Sequence, residues 1–403
     1  RPRAGEVEPR MSRLTGTRAF VVVVLAFLVT MIGTTLPTPM YGVYQQRLGF
    51  SLTTITVVFA MYAFGVLAAL LLFGRWSDAL GRRPLLLAGL ATSLASDIVF
   101  LLADATWVLL VARVVSGVSA GIYVGTATAA VIEAAPERWR SRAPLVATAA
   151  NIGGLGLGPV VAAALVSAFP WPVHLTFVVH AVASLLVLVL LSQVPETVDV
   201  TPGARPQLQR PSVPASARTT FVGAGIAGFA GFAVCGLFTA VSPRFVGEAV
   251  DDPHPLVSVS VVFALFAASV LAQVVWHRLP TDIGVNLGCV LLTVGMLMFT
   301  VSLAQEWLWL MLAAAVVAGA GQGISFSKGL AAVLQKVGAH ERAGTTSAFF
   351  VVAYVAISVP VIGSGIASDR WGLDPAGIAF SLAAAALAAL ALVTLVIDQR
   401  RTA

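Results

Sequence analysis

GRWSDALGRR, residues 74–83, breaks a strongly apolar stretch with three arginines and one aspartate. Gly74 and Gly81 permit a tight turn, Asp78 suits the N-terminal end of a helix, and Arg82 and Arg83 favour the aqueous side of a membrane surface. An ordinary charged turn would need no more than this. What decides the fold is that the apolar runs on either side are each about 20 residues long, enough to cross a bilayer core of roughly 30 Å at about 1.5 Å per residue. The segment therefore reads as a hairpin turn between two membrane spans.

The same pattern repeats along the chain. Apolar runs bounded by Pro, Gly and charge predict helices over 18–38, 52–73, 84–103, 107–130, 143–168 and 172–193, then 220–242, 256–276, 284–304, 307–329, 343–366 and 376–397. Of 403 residues, 58% are hydrophobic and only 10% charged, where soluble domains carry about 25% charge. That composition excludes a soluble enzyme. A net charge of +6 would suit nucleic acid only if the cations formed a patch, and here they are spread over the loops between spans. Cys235 and Cys289 both lie inside apolar runs, so neither a disulfide framework nor a metal site is expected, and no cofactor is implied. The first span follows five arginines without a small-residue cleavage site and reads as retained, with Met11 a plausible natural start.

Twenty of the 24 Lys and Arg residues fall in the tails and loops that share a side with the N-terminus, and three (Arg47, Arg244, Arg370) on the other. The excess predicts that both termini are cytoplasmic, and the membrane is expected to be the bacterial inner one. The expected organisation is a tail (1–17), a six-helix bundle (18–193), a proline-rich linker (194–219), a second six-helix bundle (220–397) and a short tail (398–403). The linker is expected to be irregular and mobile. At an offset of 200, Arg142-Ala143 meets Arg342-Ala343 and Gly121 meets Gly321, while Pro159 and Pro360 are one residue out of register. Six spans separate the copies, so the two halves are parallel repeats. The fold class is thus an all-α membrane protein of twelve transmembrane helices.

The pattern G-x-x-x-D-x-x-G-R-R at 74–83 resembles the signature of the major facilitator superfamily and stands at the matching place, between spans 2 and 3. Leu109, Arg113, Ser116 and Gly117 in span 4 are similar to that family's second motif. Gly154, Gly158 and Pro159 in span 5 resemble its antiporter motif, although Ala162 and Ala163 replace the closing glycines. Together they point to the twelve-span drug:proton antiporters. Read physically, Gly117, Gly121 and Gly125 form a stripe that admits a close neighbour. Gly154 and Gly158 do the same, and Pro159 favours a bend. The second-half counterpart of the first motif, HRLPTDIG at 277–284, keeps Arg278 and Asp282 but lacks the paired arginines.

The resemblance implies a cytoplasmic gate formed by Gly74, Asp78, Gly81, Arg82 and Arg83, with Asp78 set against the start of span 11 near Gly344 and Thr345. It also implies a central cavity, for which depth along the spans selects Thr30, Tyr123, Asn151, Phe232, Gln273, Gln322 and Tyr354. Each of these serves equally well as a packing residue. Few charges fall in the set, which favours an amphipathic or lipophilic solute over sugars or polyanions. Span 1 has no acidic residue, where many drug:proton antiporters carry one. Asp97 and Arg113 are matched in depth and are expected to pair as the proton-coupling site or as a fixed structural pair, the remaining alternative being that they face apart. His174 and His180 in span 6 are further titratable candidates. No G-x-x-x-x-G-K-[ST] loop argues for ATP use. The expected function is proton-coupled export by a monomer whose partners are the solute, protons and lipid. Uptake or facilitated diffusion is the alternative within transport, and a membrane sensor the alternative outside it.

Overall fold

A computed structural model describes residues 14–74, 76–169, 171–198, 208–249 and 254–402. Among the described residues there are twelve helices long and apolar enough to cross a membrane and no strand. They are α1 Thr17–Thr35, α2 Leu52–Phe73, α3 Arg82–Leu101, α4 Thr106–Glu133, α5 Ala143–Ala168, α6 Pro172–Leu191, α7 Arg218–Ala240, α8 Pro255–Val275, α9 Thr281–Gln305, α10 Leu308–Gln335, α11 Arg342–Trp371 and α12 Leu373–Thr402. Their ends follow local chemistry. Ser51 caps α2 by accepting from the Thr54 amide at 3.3 Å. Gly81 and Gly372, with φ of 98° and 93°, make the sharp entries to α3 and α12 that a side chain would strain. Large apolar side chains such as Phe64, Leu186 and Val359 stand more than half exposed on the outside of the bundle, an arrangement that lipid solvates and water does not.

Helices α1–α6 and α7–α12 form two bundles that meet along two helix pairs, α2 with α11 and α5 with α8. The repeat is visible in the packing. A Cβ at Gly117 would run into the Tyr62 carbonyl of α2 and one at Gly121 into Val66; in the second half Gly319 and Gly323 stand in the same way against Leu265 and Ser269 of α8. The true register is therefore an offset of 202 in this helix, not 200. Gly321, the residue matched to Gly121 from sequence, packs instead on Leu292 of α9. Gly125 has open space where its Cβ would be, so the stripe works at two of its three positions. We expect Gly117→Ala to lower the thermal unfolding temperature of the purified protein and Gly125→Ala to leave it unchanged or raise it slightly.

Two short helices, Tyr41–Leu48 and Ser242–Ala249, follow α1 and α7 at equivalent places. Both were read from sequence as loop. The linker is less free than its proline content suggests. Residues 199–207 lie outside the described residues, but its flanks are held. The Gln209 amide donates to Leu71 O at 2.9 Å and the Ser212 amide to Gly344 O at 3.1 Å. Glu196 accepts from the Arg82 and Arg83 amides at 2.8 and 3.0 Å, capping the positive end of α3.

Candidate functional site

The space between the bundles encloses a cavity lined by Thr34 and Thr35 of α1, Phe59 and Tyr62 of α2, Arg113 of α4, Asn151 of α5, and Phe232, Phe266, Gln322, Phe326, Phe350 and Tyr354 from the remaining helices, together with Cys235 of α7. Its free volume is about 110 Å³, well below the roughly 300–1,000 Å³ of sites for drug-sized molecules. A larger solute can enter only when the bundles separate.

Four of the seven residues selected by depth line this cavity: Asn151, Phe232, Gln322 and Tyr354. Three do not, because their polar ends are satisfied elsewhere. Thr30 donates to Ala26 O at 2.8 Å within its own helix, and Tyr123 donates to Leu86 O of α3 at 2.9 Å. Gln273 turns back onto Ser269, whose hydroxyl donates to Gln322 at 2.8 Å. The aromatic wall went unread in the sequence: Phe59, Tyr62, Phe266, Phe326 and Phe350 carry no mark that separates them from phenylalanines facing lipid.

Arg113 is 1% exposed, and its charge is the most consequential feature of the cavity. One guanidinium nitrogen donates to Thr34 O at 2.6 Å and another to Phe59 O at 3.4 Å, the latter at the limit of a hydrogen bond. The group also lies 4.8 Å from the Tyr62 ring centroid and 5.6 Å from that of Phe59, close enough for cation–π attraction. Its Nε has no protein partner. Among the described residues, no carboxylate lines the cavity.

The expected Asp97–Arg113 pair is not formed. Asp97 is directed away from the cavity and pairs with His180 of α6, whose Nδ1 lies 2.8 Å from Oδ2 and 2.9 Å from Oδ1. It is the adjacent Ser96 that reaches α4, donating to Ala112 O at 3.0 Å. Equal depth was read correctly, but successive helical residues point about 100° apart, and depth says nothing of direction.

The gate residues are also arranged differently from expectation. Asp78 binds Arg82 at 2.7 Å, and Arg82 reaches Glu133 at 3.2 Å. Arg83 donates to the Ser192 carbonyl. Asp78 makes no contact with Gly344 or Thr345, because linker residues Gln209 and Ser212 stand between the ends of α2 and α11. Gly74 has helical dihedrals, so its value is space for Gln209 rather than an unusual turn. On the face opposite the termini the bundles do touch. The Asp369 carboxylate accepts from the amides of Leu52 and Thr53 at 3.2 and 3.0 Å, and Arg244 donates to Gln45.

Gly154 and Gly158 press α5 onto α1, where a Cβ would meet Met31 and Thr35 respectively. Thr35 donates to Leu155 O at 2.9 Å, and Gly156 on the other side faces Phe266 of α8. Pro159 lies within α5. The motif thus joins the cavity-lining end of α1 to the helix that touches the second bundle.

Known proteins agree with this architecture. The chain superposes on the xylose transporter XylE from Escherichia coli, in a partially occluded inward open conformation, with a TM-score of 0.71 and 14% identity over 93% of this chain and 97% of that one. It superposes on a POT family transporter in complex with 5-aminolevulinic acid with a TM-score of 0.73 and 13% identity, over 93% and 94%. Sequence similarity is more local. The chain is 34% identical over 131 residues to the class D tetracycline resistance protein of Salmonella ordonez, 31% of each chain. It is 32% identical over 105 residues to the class E protein of Escherichia coli, 26% of each. It is 26% identical over 140 residues to multidrug resistance protein 2 of Bacillus subtilis, 35% of each. The matched stretches thus span only about a quarter to a third of these relatives. The family model of the Major Facilitator Superfamily, however, matches residues 23–361, through both bundles, the cavity and the linker; with twelve helices in two repeats around a central cavity, the chain belongs to that superfamily and is a membrane transporter rather than an enzyme.

Proposed function

We propose that this transporter exports a small amphipathic compound by alternating access, driven by proton entry, with both termini in the cytoplasm. The observation that carries the solute class is the lining of the cavity: aromatic walls around one buried guanidinium, with no carboxylate opposite it. An aromatic, largely dry site accepts planar apolar bodies. A lone Arg selects among them for neutral or anionic molecules that offer an oxygen acceptor, and opposes cations. Export is favoured by the antiporter-like motif in α5 and by the tetracycline and multidrug resistance relatives. The excess of Lys and Arg on the terminal face supports the orientation.

The test is reconstitution into liposomes with an imposed pH gradient, using a neutral, an anionic and a cationic lipophilic dye of similar size. The expected result is gradient-driven accumulation of the neutral and anionic dyes and none of the cationic one. Accumulation of the cationic dye alone would overturn the solute class. Downhill flux with no response to the pH gradient would favour facilitated diffusion over export.

A further inference from the structure

We propose that Asp97 and His180 form the proton-binding site of this transporter, and that loss of their shared proton moves the cavity-lining end of α1. The proposal rests on the proton-coupled reading above and adds to it a place and a device.

The geometry fixes a proton count. His180 Nε2 lies 3.0 Å from Val29 O of α1, and a carbonyl only accepts, so Nε2 carries a hydrogen. Nδ1 lies 2.8 Å from a carboxylate oxygen, so a second proton must sit between them, on Nδ1 or on Asp97. In either place the pair is neutral overall. When that proton leaves to water, the imidazole keeps its Nε2 hydrogen, Asp97 is a bare carboxylate, and two lone pairs face each other across the same gap. The pair then carries one negative charge in surroundings that leave the two residues 3% and 5% exposed. Burying such a charge is costly, and with no hydrogen left between them the partners are driven apart. The arrangement described here is the proton-loaded one.

Among the described residues, no other charged side chain on α1, α3, α4, α5 or α6 is placed to pair with Asp97 or His180. On α3 the remaining charges, Arg82 and Arg83, are at the far end; on α6 His174 lies six residues nearer the start of the helix; on α1 there is only Arg18, at the terminal face. Helix α5 has none between Ala143 and Ala168. On α4, Glu133 is at the terminal face and Arg113 is turned to the Thr34 and Phe59 carbonyls.

The imidazole is also where α1 can be moved. It holds the Val29 carbonyl, and its ring fills the space beside Gly33, where a Cβ would collide with it. The next residue, Thr34, gives its carbonyl to Arg113 and lines the cavity with Thr35. Separation of His180 from Asp97 therefore pulls on the segment that holds the cavity's Arg113 in place. Proton occupancy and cavity shape become two readouts of one contact.

The experiment uses the full chain in lipid nanodiscs with ¹⁵N-labelled histidine, followed by magnetic resonance from acid to alkaline pH. The His180 signals are assigned by their loss in His180→Gln. We expect His180 Nε2 to stay protonated throughout while Nδ1 loses its shared proton as pH rises. Asp97→Asn should remove or displace that change and leave His174, His254, His277 and His340 as they were. In parallel, the alkylation rate of the native cavity residue Cys235, divided at each pH by its rate in Asp97→Asn to remove the thiolate ionisation common to both, should change about fivefold or more across the same transition, and the same ratio taken for Gly33→Ala should stay flat. A His180 whose Nδ1 does not change over the range overturns the site, and the wild-type spectrum decides this even if Asp97→Asn fails to assemble. A titrating His180 with a Cys235 rate ratio that stays constant across the transition overturns the link to the cavity. If the wild type moves none of the dyes while both readouts behave as expected, the export reading fails and the proton site stands.

Discussion

Arg113→Met should lower transport of the neutral and anionic dyes up to roughly 100-fold, the value of one lost charge-assisted hydrogen bond at about 1.5–3 kcal/mol. The protein should still insert and purify. A buried guanidinium without a counter-ion is costly to keep; of the carbonyls it serves, that of Phe59 lies in mid-α2, where the helix supplies a partner, and that of Thr34, in the last turn of α1, belongs to a residue that lines the cavity. Methionine fills the volume and keeps contact with Tyr62 and Phe59. What it removes is the Nε, which has no protein partner, and the positive charge that the solute's acceptor would meet. Arg113→Lys should recover little, because the guanidinium serves the Thr34 and Phe59 carbonyls from two separate nitrogens and keeps Nε for the cavity, whereas an ammonium offers its hydrogens from a single point on a flexible stem. Initial rates over a range of dye concentrations separate the effects: a raised KM places Arg113 on the solute, and a lowered kcat alone places it in the conformational step. Wild-type rates in both variants would remove Arg113 from the site.

Much of this fold was legible in sequence because the bilayer imposes a coarse rule. A span needs about 20 apolar residues, and the observed helices begin and end within a few residues of where those runs do, with α4, α10, α11 and α12 extending further. The extension of α11 mattered. Its apolar run fades near residue 366, but the helix continues to Trp371 and ends only at Gly372, which has φ of 93°. Asp369 therefore sits on a helix and caps α2, a role that a loop residue would not suggest. Directions around each helix were less legible. Rise per residue placed Asp97 and Arg113 at one height, and it took the packing of α6 to show that Asp97 meets His180. Polar residues in an apolar helix are conspicuous, yet Thr30 and Tyr123 satisfy themselves on backbone carbonyls, while the cavity's aromatic wall is written in the same letters as the lipid-facing surface.

Gly365→Leu should hold the protein with its opposite face open and bring transport close to zero. Gly365 is where α11 lies against α2: a Cβ there would meet the Thr56 side chain and come within 3.1 Å of Thr53 Cα. Overpacking of this kind costs about 1–3 kcal/mol, which at its upper end reduces the state described here roughly 100-fold relative to its alternative. Asp369→Asn acts on the same contact more gently. It keeps the shape but weakens the capping of α2, an exposed charge–dipole interaction of about 0.3–1 kcal/mol, or a shift of up to roughly fivefold. Asp78 offers the mirror image on the terminal face. In this state it is held by Arg82; we propose that in the alternative state, once Gln209 and Ser212 withdraw from between the helices, it caps α11. Asp78→Asn should then shift the population the other way. Native Cys235 in the cavity reports all three, since a membrane-impermeant thiol reagent reaches it from the face opposite the termini only when that face is open, while Cys289 stays buried. Labelling from that face should be fast in Gly365→Leu, moderately raised in Asp369→Asn and reduced in Asp78→Asn. The double variant Asp78→Asn with Asp369→Asn should return near the wild-type rate, because two carboxylates that cap α2 and α11 in turn bias one equilibrium in opposite senses. Gly365→Leu labelling at the wild-type rate would show that this contact does not close the face, and a double variant resembling Asp369→Asn alone would show that Asp78 has no part in the balance.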